Sequence, residues 1–164
     1  KDLQHQCLLL MDEFTSIGRV EIIAHSVSYM AGYNIRLFPI IQSVAQLDAV
    51  YGKEYARTII TNHALQIIYT PREQQDANEY SEMLGYTTVK RRNVSRGRER
   101  SVSESEERRA LMLPQELKGM SQDNEIILYE GMAHPAKVGK IRYYQEGTFT
   151  KRLRKPVAVA SLKK

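Results

Sequence analysis

An apolar run, Cys7-Leu8-Leu9-Leu10-Met11, ends on two adjacent acids, Asp12 and Glu13, before Phe14. A run of this kind bounded by polar residues is the pattern of a strand covered on both faces. It constrains the chain to a fold with a sandwiched sheet. It also puts two carboxylates just past the strand's C-terminal end, where open α/β sheets bind ligands. The same residues also fit a core strand followed by a solvated loop, so the rest of the chain has to decide between the two.

The succession along the sequence is strand, helix, strand, helix, strand, helix, which predicts a parallel sheet with crossover helices. Val20, Ile22, Ile23, Val27 and Met30 recur at helical spacing over residues 19–31, with Gly32 as the expected stop. Residues 35–41 read as the second strand, with Pro39 awkward in a central position. Ser43 is placed to cap a helix through Val50 that Gly52 closes, and a further helix covers 54–61. Residues 64–69 read as the third strand, and 72–84 as a helix ending at Gly85. Thr87 to Val94 is expected as an edge strand. Residues 95–108, rich in Ser, Glu, Arg and Gly, are expected as a mobile loop. Pro114 suits the first turn of a short helix ending near Gly119. Strands are expected at 125–129 and 141–144.

At 164 residues the chain is about one domain long. Its composition, 42% apolar and 26% charged, is that of a globular protein. No apolar run approaches the ~20 residues of a membrane span. The single cysteine, Cys7, excludes an internal disulfide and reads as a core residue. Cys7 and the four histidines are too dispersed to suggest a metal site. The formal charge of +5 is uneven: residues 151–164 hold six cations and no acid, so the remainder nets −1. A second basic cluster comprises Lys90, Arg91, Arg92, Arg96, Arg98 and Arg100. Such runs either contact nucleic acid or anionic lipid, or serve as solubilising surface. Interleaved Glu99, Glu104, Glu106 and Glu107 favour a solvated loop for the second cluster. The chain opens on Lys1 with six residues ahead of the first strand, and so reads as a piece of something longer.

The acid pair has the arrangement called Walker B in nucleoside triphosphatases. There the first acid holds Mg²⁺, usually through water, and the second polarises the water that attacks the γ-phosphate. About thirty residues later Ile40-Ile41-Gln42-Ser43 ends the second strand. In a parallel sheet, neighbouring strands converge at their C-terminal ends, so Gln42 can approach the same ligand as Asp12 and Glu13. An isolated glutamine before a capping serine also reads simply as a helix start.

The ordered set Leu10-Met11-Asp12-Glu13-Phe14-x-x-Ile17-Gly18-Arg19, Ala31-Gly32-Tyr33-Asn34-Ile35-Arg36-Leu37 and Ile41-Gln42-Ser43-x-x-Gln46-Leu47-x-x-x-Tyr51-Gly52 closely resembles the TraG/VirD-type coupling ATPases of type IV secretion and conjugation. The resemblance continues through Ile59-Ile60-x-Asn62, Tyr80-x-x-x-Leu84-Gly85, Arg109-Ala110-Leu111-Met112-x-Pro114-x-Glu116-Leu117 and Lys140-Ile141-Arg142-Tyr143-Tyr144, covering about residues 7–145. It implies a RecA-like motor domain working as a homo-hexamer at the cytoplasmic face of the bacterial inner membrane. Such motors use ATP and Mg²⁺ to deliver DNA, in single or double strands and without sequence preference, or relaxase and effector proteins, to a type IV secretion channel. By position, Asp12 corresponds to the magnesium-site acid, Glu13 to the catalytic glutamate and Gln42 to the γ-phosphate-sensing glutamine. Asn62 matches a polar family position of unassigned role.

Two departures qualify the resemblance. No G-x-x-x-x-G-K-[ST] loop is present, since Gly52-Lys53-Glu54 and Gly139-Lys140-Ile141 lack both the glycine frame and the hydroxyl. The expectation is therefore residues 1–150 as the C-terminal half of a RecA-like domain lacking its Walker A half, followed by a basic, disordered tail over 151–164. Such a piece is not expected to hydrolyse ATP alone. The place where some relatives carry a trans-acting arginine reads Tyr29-Met30-Ala31-Gly32, leaving Arg19 and Arg36 as the nearest candidates. Alternative readings are a non-catalytic remnant serving as a substrate-docking module, and an FtsK/HerA-like DNA-pumping ATPase.

Overall fold

Strand β1 (Cys7–Met11) and strand β2 (Ile35–Pro39) run parallel, in register from Cys7 opposite Ile35 to Met11 opposite Pro39. The computed structural model describes residues 4–96 and 100–154, with no side-chain detail at 92–96 and 100–104. The β1–β2 crossover is helix α1 (Glu21–Met30), which continues as a 3-10 turn over Ala31–Tyr33. The expected stop at Gly32 is displaced, because the chain reverses at Asn34, which takes the left-handed conformation at φ 56°. Asparagine tolerates that region better than most side chains. Pro39, awkward on paper, fits as the last residue of β2.

Helices α2 (Val44–Tyr51) and α3 (Lys53–Thr61) follow and meet at Gly52, whose φ of 79° favours glycine. Ser43 caps α2, its side chain accepting from Gln46 N–H at 3.2 Å, as the sequence predicts. Phe14, Ile23, Ala24, Val27, Met30, Leu47, Tyr51, Ala56 and Ile59 form the first core. At its centre the Phe14 ring stacks on Tyr51 at 5.3 Å, both side chains fully enclosed.

The third strand departs from expectation. Strand β3 (Leu65–Ile68) pairs antiparallel with β6 (Asn124–Tyr129), which in turn pairs antiparallel with β7 (Ala136–Gly139). Helix α4 (Gln74–Leu84) and helix α5 (Pro114–Lys118) pack beside them around a second core of Ile68, Leu84, Leu117, Met120 and Ile126. Residues 141–144, expected as a strand, are coil and turn, and the pairing with β6 is made by β7 instead. Arg142 there is held by Asp123 and Tyr144, a local clasp that the Ile-Arg-Tyr-Tyr alternation does not reveal. A short helix, α6 (Gly147–Thr150), ends the described chain.

Residues read as a mobile loop are largely strand. Strands β4 (Tyr86–Arg96) and β5 (Arg100–Ala110) form an antiparallel ribbon in register from Tyr86 opposite Ala110 to Arg96 opposite Arg100. The register sets Lys90 opposite Glu106, and Arg91 makes a 3.3 Å ion pair with Glu107. Opposite charges across strands support pairing where apolar residues are few, and composition alone does not show that. Residues 97–99 of that reading lie outside the described residues, as do 155–164 of the basic tail.

The expectation that β1 is covered on both faces is also corrected. Leu8 and Leu10 are 63% exposed and Leu9 40%, and Cys7, read as core, is exposed. Within the described residues β1 has one strand neighbour, and of its side chains only Met11 packs on the first core.

Two outcomes test this description. Phe14→Ala empties the stack on Tyr51 and is expected to cost about 3–5 kcal/mol in a urea titration. The isolated 164-residue chain, with leucines bare on both sides of β1, is expected to sediment as concentration-dependent oligomers; a sharp monomer boundary would contradict this.

Candidate functional site

The site is assembled by main-chain bonds between the two strand ends. Ile40 N–H donates to Met11 C=O and Phe14 N–H donates to Ile40 C=O, both at 2.9 Å. These bonds carry the parallel pairing past β1 and β2 into the segments bearing Asp12, Glu13 and Gln42. Phe14, buried in the core just after Glu13, anchors the turn from below. A 3-10 turn over Phe14–Ile17 then leads the chain away.

Glu13 is left-handed, at φ 49° and ψ 47°, in a region that side chains other than Gly, Asn and Asp seldom occupy. Its N–H donates to Asp12 Oδ1 at 3.1 Å, so the first acid helps hold the second in that conformation. Gln42 Nε2 donates to Glu13 Oε1 in a long hydrogen bond of 3.4 Å. All three side chains are exposed. Glu13, Thr15, Ser16, Gln42, Gln46, Ala49 and Val50 line a shallow, open pocket of about 300 Å³. Thr15 Oγ1 donates to Gln46 Oε1 at 3.4 Å across its floor. The structure thus brings Glu13 and Gln42 together, with Asp12 beside them but outside the pocket lining.

The donor set is hard oxygen: two carboxylates and a side-chain amide. Among the described residues no group of three or more His, Cys, Asp or Glu side chains surrounds a point that could hold a metal ion. The hard-oxygen carboxylate of Asp12 fits the way Mg²⁺ is commonly held, by one or two carboxylates with substrate phosphates and water. The sequence contains no glycine-rich loop to hold those phosphates.

The other residues singled out in the sequence have local partners. Arg19 donates to Tyr51 C=O at 3.3 Å, pairs with Glu21 at 2.8 Å and lies 4.9 Å from the Tyr55 ring centroid. Arg36 donates to Ala31 C=O at 3.1 Å. Asn62 donates its side-chain amide to Thr58 C=O at 2.9 Å and closes α3 rather than joining the site.

One buried acid lies outside the pocket and was passed over in the sequence reading. Asp76 on α4 is 3% exposed. Its signal was present. Asp76 shares the buried face of α4 with Ala77, Tyr80, Ser81 and Leu84, an acid in an apolar register. Burial raises its pKa above the ordinary 3.8, the main-chain N–H of Val44 opposes this, and Glu79, Glu73 and Asp48 add to the rise. Neighbouring Tyr80 is pushed up to about 12, by burial first and Asp76 second.

Relatives fix the family. The model of the family described as "Type IV secretory system Conjugative DNA transfer" matches residues 1–164. The chain belongs to that family. Within it, the chain is similar to protein VirD4 of Agrobacterium fabrum, 29% identical over 150 residues that make up 89% of this chain and 22% of that one. It is similar also to the conjugal transfer protein TraG of Escherichia coli, 31% identical over 103 residues, 61% of this chain and 16% of that one. Its fold is that of the bacterial conjugative coupling protein TrwB. The unbound form superposes with a TM-score of 0.70 at 21% identity, over 84% of this chain and 32% of the other. TrwB in complex with ADP and Mg²⁺ gives 0.65 at 22% identity, over 83% and 30%. The fold is accordingly α/β of the RecA-like class, and this member spans under a third of the solved chains' length and about a fifth of VirD4. No helix among the described residues is long and apolar enough to cross a membrane.

The raised pKa of Asp76 has a definite sign. A folded-state value above the unfolded one gives a stabilisation that is complete below about pH 3.8 and is lost as pH rises through the folded pKa. Asp76→Asn removes that loss. Its stability relative to wild type is expected to grow as pH rises from about 4 and then level off, measured by urea midpoints across pH 3–8. A constant difference would contradict the assignment.

Proposed function

We propose that the chain is part of an ATP-driven coupling protein for conjugative DNA transfer, with Asp12, Glu13 and Gln42 as its hydrolytic residues. The observation that carries this reading is the contact between Gln42 Nε2 and Glu13 Oε1 at the adjoining ends of two parallel strands. Glu13 is the general base: its carboxylate takes a proton from the attacking water. Gln42 orients that water, and its bond to Glu13 sets where the carboxylate points. Asp12 would hold Mg²⁺ and, by accepting Glu13 N–H, fixes the left-handed turn that presents the base. Bound Mg²⁺ supplies charge neutralisation at the phosphates.

The fold shared with TrwB supports the reading, since a complex of that protein holds ADP and Mg²⁺. Family membership supports DNA and a type IV secretion channel as partners, relaxase or effector proteins as cargo, and a homo-hexamer at the inner membrane as the working form. The phosphate-binding loop must come from elsewhere in a longer chain, so residues 1–164 alone are expected to show no turnover. The exposed leucines of β1 are the surface on which that remainder would pack.

The test is DNA-stimulated ATP hydrolysis by a natural chain that joins this segment to a phosphate-binding loop. Glu13→Gln is expected to lower kcat at least about a hundredfold with nucleotide affinity unchanged. Equal rates would remove the assignment, and inactivity of the wild type would favour a non-catalytic docking module.

A further inference from the structure

Glu13 and Gln42 meet through a single long bond, and both side chains are exposed. The main-chain bonds from Ile40 to Met11 and from Phe14 to Ile40 tie the strand ends that precede them. Beyond the pair the two segments part, Glu13 leading into the 3-10 turn Phe14–Ile17 and Gln42 into helix α2.

Thr15 and Gln46 bridge these two segments. Thr15 Oγ1, two residues past Glu13, donates to Gln46 Oε1 at 3.4 Å. Gln46 main-chain N–H donates to Ser43 Oγ at 3.2 Å, on the residue next to Gln42. Gln46 therefore binds the turn of the base through its side chain and the neighbour of the glutamine through its main chain. Both Thr15 and Gln46 line the pocket that Glu13 and Gln42 line.

Helix capping does not account for this use of Gln46. Ser43-Val44-Ala45-Gln46 has the spacing of a capping box, in which the glutamine side chain reaches back to the serine N–H. The serine's half of the box is formed, but the glutamine oxygen accepts from Thr15 instead. The turn it restrains is a disfavoured one. Glu13 is left-handed at φ 49°, a conformation that side chains with a β-carbon seldom keep without restraint.

We propose that Thr15 and Gln46 are positioning residues for hydrolysis, a side-chain rung that holds the Glu13 turn against the start of α2 and so keeps the Glu13 carboxylate at the Gln42 amide. This rests on the hydrolytic role assigned above to Glu13 and Gln42. Neither Thr15 nor Gln46 touches a reacting atom. Their bond acts through the two segments it joins.

The test is ATP hydrolysis and nucleotide binding by the longer chain with a phosphate-binding loop, in a double-mutant cycle with Glu13→Gln as control. Thr15→Val keeps the shape of the side chain without its hydroxyl, and Gln46→Met keeps length without the acceptor. Each is expected to lower kcat about tenfold through misplacement, with nucleotide affinity within about twofold of wild type. The double variant is expected to be no slower than the slower single one, because both remove one bond. Thr15→Ser, which restores the hydroxyl, is expected to recover most of the rate. Wild-type kcat in Thr15→Val or Gln46→Met, beside a Glu13→Gln variant that does lose rate, would overturn the proposal. So would losses that multiply in the double variant, or a fall in affinity that matches the fall in kcat and that Thr15→Ser shares. If Glu13→Gln itself keeps full rate, the hydrolytic reading fails and the positioning role goes with it.

Discussion

Two main-chain hydrogen bonds, from Ile40 to Met11 and from Phe14 to Ile40, are what the rest of this site depends on. They carry the parallel pairing beyond the formal ends of both strands. The acids after β1 and the glutamine after β2 are thereby set side by side while remaining in loops. Side-chain chemistry alone would not do this. Gln42 and Glu13 are exposed, their mutual bond is long, and each would wander without the backbone beneath. Phe14 supplies the counterweight: burial of its ring against Tyr51 holds the far end of the acid turn, and Tyr51 also accepts Val20 N–H at the start of α1.

The energetics favour a site that is rigid from below and open above. Glu13 occupies a left-handed conformation that costs about 1–2 kcal/mol for a residue with a β-carbon. Buried Asp76 carries a further cost through desolvation and three acidic neighbours. Neither is explained by the stability of this chain, and Glu13 lines the pocket itself. Strain and buried charge of this kind concentrate where a constellation has to be held in one geometry. Enclosure, by contrast, is missing from the described residues, consistent with a piece that spans under a third of its solved relatives.

Much of this was legible in the sequence, for identifiable reasons. The first two strands, the four principal helices, the Ser43 cap and the glycine stops at Gly52 and Gly85 follow from apolar periodicity and turn chemistry. That Gln42 can come near the acids was readable from parallel neighbouring strands, whereas its bond to Glu13 was not. What was not legible depends on partners distant in sequence. Burial of β1 was inferred from its own five residues, whereas exposure is set by neighbouring strands. β5 was hidden because its support is the charge register with β4, which composition does not encode. β3 faces β6 rather than β2, a pairing across some sixty residues. Asp76 was visible as an acid among apolar helix positions, but its burial depends on what packs over that face of α4.

The central claim is that Glu13 and Gln42 act as one unit. A double-mutant cycle in ATP hydrolysis, with Glu13→Gln, Gln42→Ala and the pair together in the longer chain, tests it most directly. The account predicts strong non-additivity, with the double variant hydrolysing ATP at nearly the rate of Glu13→Gln alone. Losses that multiply independently would mean that the two residues are neighbours without a shared task.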